Sequence, residues 1–282
     1  MYIHRKLMAV LVTIIFINKS KNLLSVSVKR IIIIMEETKQ IANKIIKEIQ
    51  NLPYYKNHAA ASGAVHNFAL HEDAVAAVFN SYGLVHWVPK SNEKPSSEKV
   101  WSWMDYSIKN EKPETELVTP MPDYSYISQP CGTHDSPDFL VKLNRNIFLG
   151  IECKSADGYF PRYNSGGIKQ NLIYVFCSKK VNATTIYVGK DVLSIEQQKL
   201  IDELISKQRL LEKEYNDKLK AIDVHHRGVS YYTRPMIQQS GGAEFTNYFT
   251  HTEREQCEQN VYSFIDSIIV NNYGKTETEQ II

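Results

Sequence analysis

The sequence predicts an α/β protein, and three observations carry that expectation. A β-rich centre holds four runs of β-branched and aromatic residues, "FLVKL", "IFLGIECK", "NLIYVFC" and "TTIYVGK", separated by polar turns. Amphipathic helical patterns lie on both sides of that centre. A long capped helix, predicted over residues 194–222, follows the last strand.

A chain of 282 residues can bury a substantial core, as one large or two small domains. Its 33 basic and 31 acidic residues leave a formal charge of +2, too small to announce nucleic acid or membrane, so any basic surface must be local. Cys131, Cys153, Cys177 and Cys257 are far apart and form no CxxC pair. Neither a zinc knuckle nor a disulfide framework is supported, and reduced thiols in a cytoplasmic protein are expected.

Residues 1–34 are expected to lie outside the fold, as upstream translation or a leader. They hold a basic start and an apolar run from Leu7 to Ile17, but no small-x-small cleavage site follows. That run is too short to span a bilayer, which takes about 20 residues. Met35 opens "MEETKQIANKIIKEIQNLP", where Ile41, Ile45 and Ile49 recur at helical spacing and Pro53 stops the pattern. Residues 35–282 are read as a single domain.

A second helix is predicted from Ala64 to Tyr82, with Gly83 as its left-handed cap. Residues 90–136, rich in Pro, Ser, Lys and acids, read as long surface loops with short structured pieces. "FLVKL" and "IFLGIECK" flank "NRN", whose asparagines tolerate a tight turn, so the two form a hairpin. In the long helix, Ser194 and Gln197 form a capping box. Ile201, Leu204, Leu211, Tyr215 and Ile222 fall near heptad spacing, interrupted by Gln208 and Lys218, a pattern that suits an arm, a dimer contact or a core helix. The last helix is expected from Thr252, with Glu255 completing its cap and Val261, Phe264, Ile265 and Ile268 facing the core.

The chemistry centres on "SPDFLVKLNRNIFLGIECKSADG". Alternation along a strand puts Phe148, Gly150, Glu152 and Lys154 on one face, and Ile147, Leu149, Ile151 and Cys153 on the other. The hairpin returns Asp138 beside Glu152, where two carboxylates repel unless a cation sits between them. Mg2+ suits such a pair with waters and a phosphate oxygen, while Lys154 can neutralise charge or orient water. Glu72 interrupts the apolar stripe Val65, Phe68, Val75, Phe79 and Tyr82, which makes it a candidate further carboxylate.

"PDF" at Pro137 to Phe139 and "ECK" at Glu152 to Lys154 resemble the PD-(D/E)xK nuclease superfamily, and the block over residues 129–190 looks like its type II restriction endonucleases. The resemblance implies a restriction-endonuclease-like central mixed sheet with helices on both faces, and a homodimer. It implies Mg2+ held by Asp138, Glu152 and the Cys153 backbone carbonyl, with Glu72 as the acid of the upstream helix and Lys154 positioning the attacking water. The products would carry a 5′-phosphate and a 3′-hydroxyl, and the functional partner would be a DNA methyltransferase of the same specificity.

Candidate DNA contacts are Arg162, Tyr163, Asn164, Lys169 and Gln170 in the loop after Lys154, together with Arg227, Arg234, Gln238 and Gln239 after the long helix. The expected function is a sequence-specific, Mg2+-dependent endodeoxyribonuclease of a restriction-modification system acting on double-stranded DNA, with no membrane partner. Alternatives are a repair, junction-resolving or transposition nuclease of the same fold, and a non-catalytic DNA-binding or membrane-tethered protein.

Overall fold

A computed structural model describes residues 26–57, 68–109, 117–164, 167–233, 235–239 and 247–277, and among these residues six strands form one open mixed sheet in sequence order. The strands are β1 (Val85–His86), β2 (Ser125–Ser128), β3 (Phe139–Lys142), β4 (Phe148–Ala156), β5 (Ile173–Ser178) and β6 (Ala183–Val188). β1 runs parallel to β2 and β4 parallel to β5, while the other neighbours are antiparallel. The four strands expected from the β-rich centre are β3 to β6.

Among the described residues the α-helices beside the sheet are α1 (Val26–Gln50), α2 (His71–Ser81), α3 (Ser97–Ile108), α4 (Ile195–Ala221) and α5 (Arg254–Glu277). One face carries α1, α2 and α5, whose buried Ile45, Ile46, Ile49, Val75, Phe79, Val261, Ile265 and Ile268 pack with Leu149, Ile151 and Val175 of the strands. The other face is covered by α3 and by the segments around Tyr163 and Tyr248, which pack on Phe148, Tyr174, Phe176 and Tyr187. β4 is therefore sandwiched, with its odd-numbered side chains in one core and its even-numbered ones toward the other.

Several boundaries differ from expectation. α1 does not begin at Met35 but extends back to Val26, and Ile31 is buried in the core, so part of the segment set outside the fold belongs to it. The apolar run from Leu7 to Ile17 lies outside the described residues. α2 begins at His71, not Ala64: residues 68–70 are non-helical, the Leu70 N–H donates to the Asp73 carboxylate, and residues 64–67 lie outside the described residues. It ends as expected at Gly83, with φ +79° and the Leu84 N–H bonded back to the Phe79 carbonyl. α5 begins at Arg254, two residues after Thr252.

Residues 90–136 hold more structure than the loops expected of them. Ser96 caps α3 by accepting from the Lys99 N–H, and Val100, Trp103, Met104 and Ser107 bury one helical face. The α4 capping box of Ser194 and Gln197 forms as expected, yet no residue of that helix is buried, which rules out a core helix. All four cysteines are free thiols, and among the described residues no helix is long and apolar enough to cross a membrane.

The β3–β4 hairpin closes on a turn whose two central residues, Arg145 and Asn146, both have positive φ (50° and 58°), and the Ile147 N–H bonds back to the Asn144 carbonyl. This primed turn matches the natural twist of paired strands. Three helices hold it in place. The Asn144 amide donates to Thr38 Oγ1 of α1 at 2.8 Å and to Tyr124 Oη at 2.9 Å, and accepts from Tyr273 Oη of α5 at 2.9 Å. Ser107 of α3 donates to the Asn146 carbonyl and accepts from the Phe148 N–H. Truncating Asn144 strands these buried partners, so Asn144→Ala is expected to lower stability by about 2–4 kcal/mol in urea titration, with the slope unchanged.

Candidate active site

The hairpin register decides what meets at the open end of the sheet. Phe139 pairs with Ile151 and Lys142 with Phe148. One step further along that register sets Asp138 across from Glu152. The carboxylate of Asp138 reaches over the strand end and accepts from the Cys153 N–H at 2.7 Å, which ties it to the backbone of β4. The loop before it folds back in support: the Gln129 N–H donates to the Asp138 carbonyl at 2.7 Å, and Gly132, with φ +98°, closes the turn on Gln129.

Glu152 is 1% exposed, and its Oε1 accepts from Lys154 Nζ at 2.5 Å. Its Oε2 is buried with no hydrogen-bond partner among the described residues. An ionised oxygen buried in this way costs several kcal/mol unless a cation or donor reaches it. Gly150, two residues earlier on the same face, lets this layer close. A Cβ there would come within 2.4 Å of both Leu172 Cδ2 and Met104 Sδ.

Glu72, Asp138, Cys153 and Lys154 line one cleft of about 660 Å³, with Arg162 and Asn164 at its exposed rim. Glu152 is buried and does not itself line the cleft, but it is bound to Lys154, which does. Glu72 sits in the first turn of α2, so its place in a longer apolar stripe is not what brings it here. The helix start at His71 presents it to the cleft, half-buried.

Burial, and after it the neighbouring Glu152 carboxylate, push the Asp138 carboxyl up to about 7, while Lys154 and the Cys153 N–H pull it back and Glu72 adds to the rise. Burial holds the Cys153 thiol well above its ordinary value, so this residue offers its backbone and not a thiolate. Among the described residues no three His, Cys, Asp or Glu side chains form a metal-holding group. The donors available are two carboxylates and a carbonyl, with Glu72 apart from a closed cage. That set, with the orphaned Glu152 oxygen, fits Mg2+, which keeps several waters and takes one or two carboxylates.

The remaining candidates divide. Tyr163 is a core residue and no DNA contact: it is fully buried, and its hydroxyl bonds those of Tyr187 at 2.8 Å and Tyr248 at 2.7 Å. Gln239 belongs to the same cluster, accepting from Tyr248 Oη at 2.7 Å. Gln170 donates to the Leu193 carbonyl, and the Lys169 N–H caps the Tyr174 hydroxyl, so both brace the strand ends. Arg227 and Gln238 are exposed but lie outside the cleft lining, and Arg234 lies outside the described residues. Gln129, Thr133, Asp157 and Phe160 line the cleft without having been singled out. The signal for the first two was the Gly-containing loop before Pro137.

Comparison with protein-family models, with characterised proteins and with solved structures finds no match.

The raised Asp138 carboxyl predicts a pH dependence of stability. The folded state holds this proton up to about pH 7, whereas an unfolded Asp releases it near 3.9. Stability is therefore lost as pH rises from about 4 through about 7. Asp138→Asn keeps the acceptor for the Cys153 N–H and removes the charge. It is expected to be more stable than the parent at pH 8, by on the order of 3 kcal/mol, and to match it below pH 4 in thermal melts.

Proposed function

We propose that this chain is a Mg2+-dependent endodeoxyribonuclease that cleaves double-stranded DNA at specific sites, akin to the type II restriction endonucleases of the PD-(D/E)xK superfamily. One observation carries the reading. Asp138, Glu152 and Lys154 converge at the end of one hairpin, with a buried carboxylate oxygen left without a donor and the lysine at the cleft wall. The mixed sheet, with β3 and β4 antiparallel and β5 parallel to β4, and the acid in the first turn of α2 support the same reading.

Asp138 and Glu152, with the Cys153 carbonyl, are the residues that would hold Mg2+. When bound, that ion supplies Lewis-acid polarisation of a phosphate oxygen and a more acidic water. Lys154 has the role the chain itself provides. Its ammonium, braced on Glu152, stands at the cleft wall to hold the attacking water and to offset charge growing on the phosphate. Arg162 and Asn164 at the rim supply a cation and an amide for the flanking backbone. The segments inserted around the core, β1 to β2 on one side and the α4 region on the other, give the extra surface that site readout needs. In this reading the functional partner is a DNA methyltransferase of the same specificity, which protects the sites that are cut.

Mixed-sequence duplex DNA with Mg2+ is expected to yield discrete fragments ending in a 5′-phosphate. A smear, or no cleavage across diverse duplexes, would sink the proposal. Lys154→Ala is expected to slow single-turnover cleavage at least about 100-fold while duplex binding persists. Independently of activity, millimolar Mg2+ is expected to raise the melting temperature of the parent at pH 8 and to leave that of Asp138→Asn unchanged.

A further inference from the structure

Among the described residues, Tyr124, Gln129, Arg145, Asn146, Asn182 and His226 have a positive φ without being glycine. A left-handed backbone crowds any side chain that has a Cβ, and asparagine tolerates it better than most. Gln129, at φ 48°, is the one of these that lines the cleft. It also precedes Pro130, whose ring restricts the backbone of the residue before it. Glycine would fit this position with less strain, so the chain holds a glutamine side chain here against a local penalty.

The sheet fixes where that side chain starts. β2 and β3 pair Ser128 with Phe139, and one step further along the register sets Gln129 across from Asp138, on the side away from Glu152. The Gln129 N–H donates to the Asp138 carbonyl at 2.7 Å, and the Gln129 carbonyl accepts from the Gly132 N–H at 3.0 Å. Both backbone groups are therefore tied, and the side chain is exposed to the cleft. The cleft's cations, Lys154 and Arg162, come from β4 and the loop after it, whereas the loop between β2 and Asp138 brings the Gln129 amide and the Thr133 hydroxyl. A neutral amide can donate to a phosphate oxygen without drawing the Asp138 and Glu152 carboxylates into an ion pair.

We propose that the Gln129 side-chain amide donates to a non-bridging oxygen of the phosphate that is cut, which makes Gln129 a further substrate-contacting residue of the reaction. The inference rests on the nuclease reading. In that hydrolysis the attacking water gives its oxygen and one O–H to phosphorus, the bond to the 3′-oxygen breaks, and the water's other proton ends on that oxygen. Negative charge builds on the non-bridging oxygens along the way. A donor on a pinned backbone meets that charge with little reorganisation.

Two substitutions separate the amide from the backbone that carries it. Gln129→Met keeps the side-chain length and the left-handed strain but removes the donor, and Gln129→Gly removes donor and strain together. Each is expected to slow single-turnover cleavage of duplex DNA at saturating enzyme at least about tenfold, with cut sites unchanged and duplex affinity within about threefold of the parent. Only Gln129→Gly is expected to shift the melting temperature, upward by about 2 °C, because relief of the backbone outweighs the added freedom of the unfolded chain. Gln129→Met cutting at the parent's rate overturns the proposal even if Gln129→Gly is slow, since the backbone and not the amide would then matter. New cut sites would assign the amide to base readout, and lost affinity at an unchanged rate would assign it to the flanking backbone; either result overturns the proposal as well. A parent that cuts no duplex sinks the nuclease reading and this inference together, whereas a cutting parent with unaffected variants sinks this inference alone.

Discussion

The register of the β3–β4 hairpin is the constraint on which the rest of the molecule depends. A slip of one residue would turn every side chain of β4 to the opposite face. Glu152 and Lys154 would enter the aliphatic core, and Ile151 and Cys153 would enter the cleft. Two devices prevent this. The alternation of Ile147, Leu149 and Ile151 with Phe148 and Gly150 fits two differently shaped cores. The turn at residues 144–147 is held by Thr38, Ser107 and Tyr273, each from a different helix. The far end of the hairpin is thus locked by polar contacts, and the near end inherits a defined distance between Asp138 and Glu152.

That near end carries an electrostatic penalty. Two partly or fully buried carboxylates stand side by side with a single lysine between them and the solvent, and one carboxylate oxygen has no donor. Folding alone gains nothing from such a group. A hydrophobic strand end would be more stable, because burying a charge costs more than an imperfect pair returns. The cluster is destabilising by itself and the proposed cation would offset that cost, so stability and the proposed chemistry draw on the same side chains. The tyrosine cluster next to it works in the opposite sense. Tyr163, Tyr187 and Tyr248 satisfy one another's hydroxyls, and the parallel stacking of Tyr174 on Tyr187 at 5.3 Å makes that side of the sheet rigid.

The cleft rim and the segment that follows α4 meet at one residue. Tyr163 joins the tyrosine cluster through its hydroxyl and pairs through its backbone with Ile237, while its neighbours Arg162 and Asn164 form the cleft rim.

Local pattern alone determined much of this protein. Strands β3 to β6, the turn between β3 and β4, the α4 capping box, the end of α2 at Gly83 and the apolar face of α5 all follow from periodicities and turn chemistry that act within a few residues. The face shared by Glu152 and Lys154, and the return of Asp138 toward them, follow from the two-residue period of a strand. Tertiary structure decided the rest, because burial is a property of neighbours distant in sequence. Tyr163 and Gln239 read as loop residues until Tyr248 and Tyr187 are packed against them. α3 is a short amphipathic helix among Pro- and Ser-rich segments, and the core into which Val100, Trp103 and Met104 pack, with Phe148 stacked on Trp103, gives it a reason to form. Glu72 reaches the cleft because α2 starts at His71, where Asp73 caps it. A heptad pattern is compatible with core, arm or interface. That no residue of α4 is buried excludes the core, and no local signal encodes it.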